Sequence, residues 1–246
     1  MRSVLLSAYK EISNPFFWKT IALIKELKSK GMDIELIVGA TTGSNETLEK
    51  LNGHDVRTII IHTSKRAGRY NAALEASSAS DNDRVLLNHP RSLLQKEAFQ
   101  SLLAVTNSVQ WGAFTHVFDL DHPLLKFTSW WSNHVRGDIK NIFYLDHCLF
   151  IRRNIFEKAG GFPSIDIFED TSLSLRLAQI KAPLRLPWKS TTSSIRFTTN
   201  GVWKQAYKNQ LLKINFMMGK DHGKMNEIFE KGISLNCRME ESSHLL

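Results

Sequence analysis

The chain has 246 residues, 42% hydrophobic and 23% charged, with a formal net charge of +8. That length and composition exclude a largely disordered chain and allow a full core, so one α/β domain followed by a short tail is expected. The basic balance admits a nucleotide diphosphate or an anionic membrane as partner, and scattered Lys and Arg residues without a basic block argue against nucleic acid.

Ser3 to Ala8 is an apolar run of the kind that forms a buried parallel strand. Phe17 to Lys28 carries Ile21, Leu23, Ile24 and Leu27 at helical spacing and ends at Lys30-Gly31. A strand over Asp33 to Val38, a small-residue loop over Gly39 to Ser44, a helix over Glu46 to Leu51 and a strand over Val56 to His62 follow. This alternation predicts a parallel sheet with helices on both faces. Ligands of such sheets lie beyond the carboxyl ends of the strands, which singles out Tyr9 to Pro15, Gly39 to Asn45 and Thr63 to Asn71.

Arg84 to Leu87 reads as a fourth strand leading to Asn88, His89 and Pro90. Phe118-Asp119-Leu120-Asp121-His122 contains a D-x-D spelling, for which a surface turn into Pro123 and a displaced metal site are the two readings. Leu124 to His134 is an aromatic, amphipathic helix closed by Arg136-Gly137; its Trp130 and Trp131 suit a sugar face, a membrane interface or core packing. Cys148 to Ile151 is a short buried strand, and Arg152 to Ala159 a helix stopped by Gly160-Gly161 and Phe162-Pro163. Phe168-Glu169-Asp170-Thr171 opens a further helix carrying Leu173, Leu175, Leu177 and Ile180. Two carboxylates in a first turn sit at the positive end of the helix dipole, which suits a base, although capping is their commoner use.

Leu184 to Pro187 and Thr191 to Arg196 read as two strands, and Trp203 to Met218 as an amphipathic helix rich in Lys and Met, able to cover a site or lie on a membrane. Beyond Gly232 the chain is polar and non-periodic, a tail over 233–246. There are two cysteines, Cys148 and Cys237, and no apolar run long enough to cross a bilayer, and the opening apolar stretch is too short before charge returns for a signal peptide to be expected. A reduced, cytoplasmic protein is expected, with any membrane contact peripheral and at the inner face.

Taken jointly, Leu145-Asp146-His147, Phe150-Ile151-Arg152-Arg153, Gly160 to Pro163 and Glu169-Asp170 resemble the GDQ, FxRR, GGFP and ED elements of the family-2 glycosyltransferases. The pattern is closest to their bacterial transferase 2, selenodomain-associated-like subgroup. Arg66 to Ala73 is similar to that family's GRARQMNAG segment, Trp111 to Phe114 to its WGxF, and Ser193 to Phe197 with Gly201-Val202-Trp203 to its SARRW element and following helix. Gly219 to Phe229 echoes its ending.

The resemblance implies a GT-A fold, an α/β architecture with a mainly parallel mixed sheet flanked by helices. That fold would span 1–232, with a nucleotide-binding half at 1–108 and an acceptor half at 109–232. It implies transfer of a sugar from a nucleoside diphosphate sugar to a hydroxyl of a carbohydrate or lipid-linked acceptor, with inversion, Asp170 being the general base and Glu169 orienting it or the acceptor. Ala8, Glu11, Arg66, Asn71, Asn88, Asp146 and Arg196 correspond to the donor side, Arg196 neutralising the leaving diphosphate.

Three departures stand out. Lys10-Glu11 replaces an Asn-Glu pair, Gly39 replaces an Asp that holds the nucleotide base, and Asn88, His89 and Pro90 replace the carboxylates that hold Mn²⁺ or Mg²⁺. His89 is the remaining metal candidate there, and a hydrogen-bonded structural histidine is its other reading. A transferase, with or without a divalent cation, and a catalytically inactive GT-A scaffold binding a nucleotide, glycan or protein partner both fit this pattern.

Overall fold

The computed structural model describes residues 3–41, 45–62, 65–231 and 233. Among the described residues eight strands form one sheet. The first four are β1 (Ser3–Ala8), β2 (Glu35–Thr41), β3 (Arg57–Ile61) and β4 (Arg84–Asn88), all parallel and in the order β3-β2-β1-β4. The sheet continues through β7 (Leu149–Arg152), β6 (Trp111–Phe118), β8 (Leu184–Thr192) and β5 (Ser92–Leu94). β7 is antiparallel to both neighbours and β5 to β8, while β6 and β8 are parallel. The sheet is therefore mixed and mainly parallel.

Every residue of β1 is buried, as a central strand covered on both faces requires. Its alternation sorts side chains between two cores. Val4 and Leu6 join Phe17, Phe99, Phe114 and Phe150 under α1 (Pro15–Ser29) and α4 (Lys96–Ala104). Leu5 points the other way, to Tyr70, Trp111, Phe143 and Leu173 under α3 (Arg66–Glu75), α6 (Arg153–Lys158) and α7 (Glu169–Ile180). α1 starts where Asn14 accepts a hydrogen bond from the Phe16 N–H and Pro15 occupies the first turn. The remaining helices are α2 (Asn45–Leu51), α5 (Pro123–Trp130), α8 (Ile195–Asn200), α9 (Val202–Met217) and α10 (His222–Glu230).

Several expectations are corrected. Gly39 does not open a loop; β2 runs on to Thr41, and a Cβ at Gly39 would stand 2.1 Å from the Arg69 carbonyl oxygen, so glycine is there for the close crossing of α3. Arg66 to Asn71 is the start of α3 rather than loop. Gly137 does not end a helix either: α5 passes into a π-helix, Trp131–Ile139, and Gly137 makes room for the Phe143 ring. The two short strands expected around Pro187 are the single β8, which absorbs Pro187 and Trp188 as a bulge opposite Phe114 and Thr115; 195–196 then belong to α8. Gly160 and Gly161 do adopt positive φ, +77° and +62°. Residues 42–44, 63 and 64, and the expected tail with Cys237 apart from Ile233, lie outside the described residues. Among the described residues no helix is long and apolar enough to cross a membrane.

Candidate functional site

The carboxyl ends of β1, β4, β6 and β8 open on a cavity of about 240 Å³, closed on its far side by α9 through Asn209, Leu212 and Lys213. Its acidic side is the start of α7. The turn before it is held by Phe168, a non-glycine residue at φ +62° whose ring lies 4.8 Å from that of Phe216 on α9. A left-handed residue of this kind costs about 1–3 kcal/mol and persists where the surroundings hold it.

Asp170 lies behind Phe168 and is buried. Its Oδ2 accepts from the Leu145 N–H at 2.9 Å and its Oδ1 from the Thr171 N–H at 2.7 Å. Burial, reinforced by the neighbouring negative charge of Glu169, pushes its carboxyl up to about 6 even though Arg66 and the Leu145 N–H favour the ionised form. Glu169 is tied differently. Its Oε1 accepts from Arg66 Nε at 2.5 Å, and its Oε2 is buried with no hydrogen-bond partner among the described residues. Arg66 thus joins α3 to α7, and its Nη1 also approaches His89 Nε2 at 3.2 Å.

A second group surrounds Asp146, in the short 3₁₀ turn Leu145–His147. Its backbone carbonyl accepts from three hydroxyls, Ser190 at 2.6 Å and Ser92 and Thr192 at 3.2 Å, which fix the turn against β5 and β8. His147 Nδ1 faces the Phe114 carbonyl at 3.0 Å and so carries the proton, leaving Nε2 to accept from Ser132 Oγ at 2.7 Å; Ser132 Oγ in turn accepts from Arg136 Nη2. His116 Nδ1 lies 3.2 Å from Ser129 Oγ, and its Nε2 is 3.6 Å from Asp146 Oδ2. Burial opposes ionisation of Asp146, but His116, His147 and Arg136 together hold its carboxyl down at about 2. Burial also keeps His147 at about 3 and pushes His116 down, although Asp146 favours the protonated form of both. The Arg136 guanidinium stacks 3.3 Å above the Tyr144 ring.

Arg66, Arg69, Arg91, Arg136, Arg196 and Lys213 line this cavity against Glu11, Asp146 and Asp170, and Glu169 and Glu230 just outside the lining compensate Arg66 and Arg196, which leaves a small excess of cations for an anion to meet. Burial first, and then Arg136, bring Lys213 down to about 8. The metal-ligand expectation fares differently. His89 Nδ1 accepts from the Arg91 N–H at 3.2 Å and its other nitrogen faces Arg66, so a cation there would sit against a guanidinium. Burial, with Arg66 next, pulls His89 down to about 3. Among the described residues no three His, Cys, Asp or Glu side chains converge on a metal position. Asp119 and Asp121 do not form a displaced site: Asp119 Oδ1 accepts from the Ser194 N–H at 2.7 Å ahead of α8, whereas Asp121 points to solvent beside Lys126 at 2.6 Å.

The cavity therefore brings together Glu11, Arg66, His89, Asp146, Asp170 and Arg196, with Glu169 behind Arg66. Three expected donor residues are elsewhere. Asn71 uses both ends of its amide on the backbone of Phe162, at 3.1 Å each, pinning the GGFP turn to α3. Asn88 is turned into the sheet, its amide donating to the carbonyls of His89 and Ser92. Ala8 is wholly buried at the end of β1. Arg196 reaches the cavity, but its guanidinium pairs with Glu230 at 2.5 Å and lies 3.9 Å over the Phe229 ring. Glu11 accepts from Asn14 Nδ2 at 2.6 Å and lies 3.4 Å from Arg91; burial, the leading influence, raises its carboxyl. Arg91, His116, Arg136 and Lys213 were not singled out from the sequence. Only Lys213 left a signal, sharing one face of α9 with Asn209.

No protein-family profile and no curated protein matches the chain. Solved structures do. S. aureus TarS 1–349 superposes with a TM-score of 0.60 at 12% identity, over 93% of this chain and 69% of that one. The mannosyltransferase PcManGT from Pyrobaculum calidifontis, solved with GDP-Man and Mn²⁺, gives 0.57 at 15%, over 93% and 68%. Glucosyl-3-phosphoglycerate synthase from Mycobacterium tuberculosis, solved with Mn²⁺, UDP and phosphoglyceric acid, gives 0.53 at 12%, over 78% and 69%. At these identities the likeness is one of fold, and the fold is GT-A.

Proposed function

We propose that the chain is an inverting, family-2-like glycosyltransferase that moves a sugar from a nucleoside diphosphate sugar to the hydroxyl of a carbohydrate or lipid-linked acceptor. The observation that carries this reading is the single cavity in which a buried carboxyl at the start of α7, pushed up to about 6, faces a wall of arginines and a lysine. Asp170 takes the proton of the acceptor hydroxyl as that oxygen forms its bond to the anomeric carbon; the bond from that carbon to the diphosphate breaks on the opposite side, so the configuration inverts. Glu169 holds Arg66, and Arg66, Arg91, Arg136 and Lys213 meet the charge that develops on the departing diphosphate. Residues 1–108 supply part of the donor side and 109–232 most of the acceptor side, with Arg136, Asp146, Arg196 and Lys213 reaching the donor from the latter.

His89, boxed between two donors, does not fit a divalent cation, so side-chain cations carry the role of a metal in this reading. The test incubates the pure protein with a panel of nucleotide sugars, with Mn²⁺ and with a chelator, and follows nucleotide release and thermal stabilisation. Turnover of at least one donor in the presence of chelator is expected; no turnover and no stabilisation under either condition overturns the enzyme reading. Asp170→Asn is expected to abolish transfer with donor binding near normal, whereas lost donor binding would remove Asp170 from the role of base.

The absence of donor-side carboxylates favours a second reading, a scaffold that binds a nucleotide, glycan or protein partner without turnover. At Gly39 the position is filled by the α3 backbone, and Asn88 is committed to the sheet. Stabilisation by a nucleotide sugar with no release of nucleotide is its signature.

A further inference from the structure

α9 has two faces. Gln205, Asn209, Leu212 and Phe216 fall on one side at helical spacing; the first and third are buried, Asn209 and Leu212 line the cavity, and Phe216 meets Phe168. Trp203, Tyr207, Leu211, Ile214 and Met218 fall on the opposite side, and all of them are exposed. Trp203 is 71% exposed and Met217, beside this stripe, 84%. A soluble surface seldom leaves so many large apolar side chains in a row without a partner. The surface extends toward α5. The Trp203 ring lies 6.3 Å from that of His122, the residue that caps α5, and further along that helix Phe127, Trp130 and Trp131 form an exposed aromatic cluster with centroids 6.0 to 6.5 Å apart.

The charge along α9 is positive, whereas the α5 end carries both signs, Asp121 standing exposed beside Lys126. From Ser190 to Lys220 the sequence contains no Asp or Glu, and Lys204 and Lys220 are exposed on α9 and just beyond it. A second copy docked through this face would bring its lysines against those of the first. An anionic surface with an apolar interior meets both halves of the pattern, since Trp and Tyr favour the interfacial zone and each Lys near an anionic leaflet adds about 1 kcal/mol.

We propose that the outer face of α9, with the aromatic cluster of α5, docks the protein on an anionic lipid membrane. The docked protein holds its cavity one helix diameter, about 10 Å, from the lipid surface. The docking rests on exposure and charge alone; its consequence, that the acceptor is carried by a lipid, rests on the transferase reading above.

The experiment is co-sedimentation of the full chain with phosphatidylcholine vesicles, with and without phosphatidylglycerol, at low and high salt, beside the triple variant Trp203→Ser, Tyr207→Ser, Ile214→Ser. The native chain is expected to bind the phosphatidylglycerol vesicles, more weakly at high salt, with tryptophan emission shifted to the blue. The variant, substituted at exposed positions and checked by its unfolding temperature, is expected to lose roughly tenfold or more in binding. No binding to either vesicle overturns the proposal, as does a dimer in sedimentation velocity that the variant abolishes, for a second copy would then be the occupant. Binding that is equal on neutral vesicles and insensitive to salt overturns its charge component. Stabilisation by nucleotide sugars, measured on the same variant, reports separately on the transferase reading.

Discussion

Glu169 and Asp170 are adjacent carboxylates with different surroundings, and the roles proposed for them rest on that difference. Arg66 compensates Glu169, whereas Asp170 has backbone N–H donors and the repulsion of its neighbour. Transfer is therefore expected to fall as pH drops through about 6, where Asp170 takes up its proton; a kcat/KM profile measured from pH 4 to 8 checks this, and a profile flat through that range excludes Asp170 as the base. The effect on stability has the opposite sign. An Asp titrates at about 3.9 in the unfolded chain, so the proton that the folded state retains stabilises it fully below about pH 4, and that contribution is lost as pH rises through the folded value. Removing the partner of Arg66 is a separate matter. Glu169→Ala leaves a largely buried guanidinium uncompensated and is expected to cost about 3 kcal/mol in denaturant unfolding; a change within ~0.5 kcal/mol would show the pair to be solvated. The acidic pair was legible as the first turn of an amphipathic helix, and as a candidate base only through the resemblance. Asp146 was legible only through its resemblance, and its neighbours His116 and Arg136 not at all, because the contacts that assemble them join segments far apart in sequence.

At the scale of elements, close backbone crossings decide what the sequence could reveal. Gly39 looked like loop because glycine and threonine cluster there, yet it is a strand residue pressed by the Arg69 carbonyl. Gly39→Ala is expected to cost on the order of 3 kcal/mol or more, since backbone rather than a side-chain tip must move. Gly53→Ala, where the new Cβ meets only the Lys50 carbonyl at 3.8 Å, is expected to change stability by less than ~0.5 kcal/mol. Chemical denaturation of the two variants makes the comparison, and equal losses would contradict it. Gly112 belongs with Gly39, its Cβ position lying 2.0 Å from the Leu184 carbonyl where β6 and β8 pair. Elements with regular periods, β1, α1, α7 and α9, were readable to within a few residues. The π-helical continuation of α5 and the bulge in β8 were not, because both depend on what packs opposite them: the Phe143 ring in one case and the two-residue offset against β6 in the other.

For the whole molecule, two surfaces on either side of α9 matter within a chain of net charge +8. The inner one is the arginine-lined cavity; the outer one is the exposed apolar stripe with its lysines. Composition indicated a basic partner surface without locating it, since scattered cations converge only when β4, α3, the π-helix and α9 meet. The layered α/β architecture was legible as a strand and helix alternation, and its GT-A kind, with the missing carboxylates as departures at Gly39 and at Asn88 to Pro90, only through the motif resemblance. The lining by Lys213 and Arg136 was not visible, because they reach the cavity from elements distant in the chain. On the proposed reading this cavity binds a nucleoside diphosphate sugar through side-chain cations. Its most direct test is thermal unfolding of the native chain and of Lys213→Ala with a panel of nucleotide sugars in chelator. At least one donor is expected to raise the native unfolding temperature by several degrees and to do so much less for the variant; no shift with any donor, or a shift that appears only with Mn²⁺ and is the same in both proteins, would contradict it.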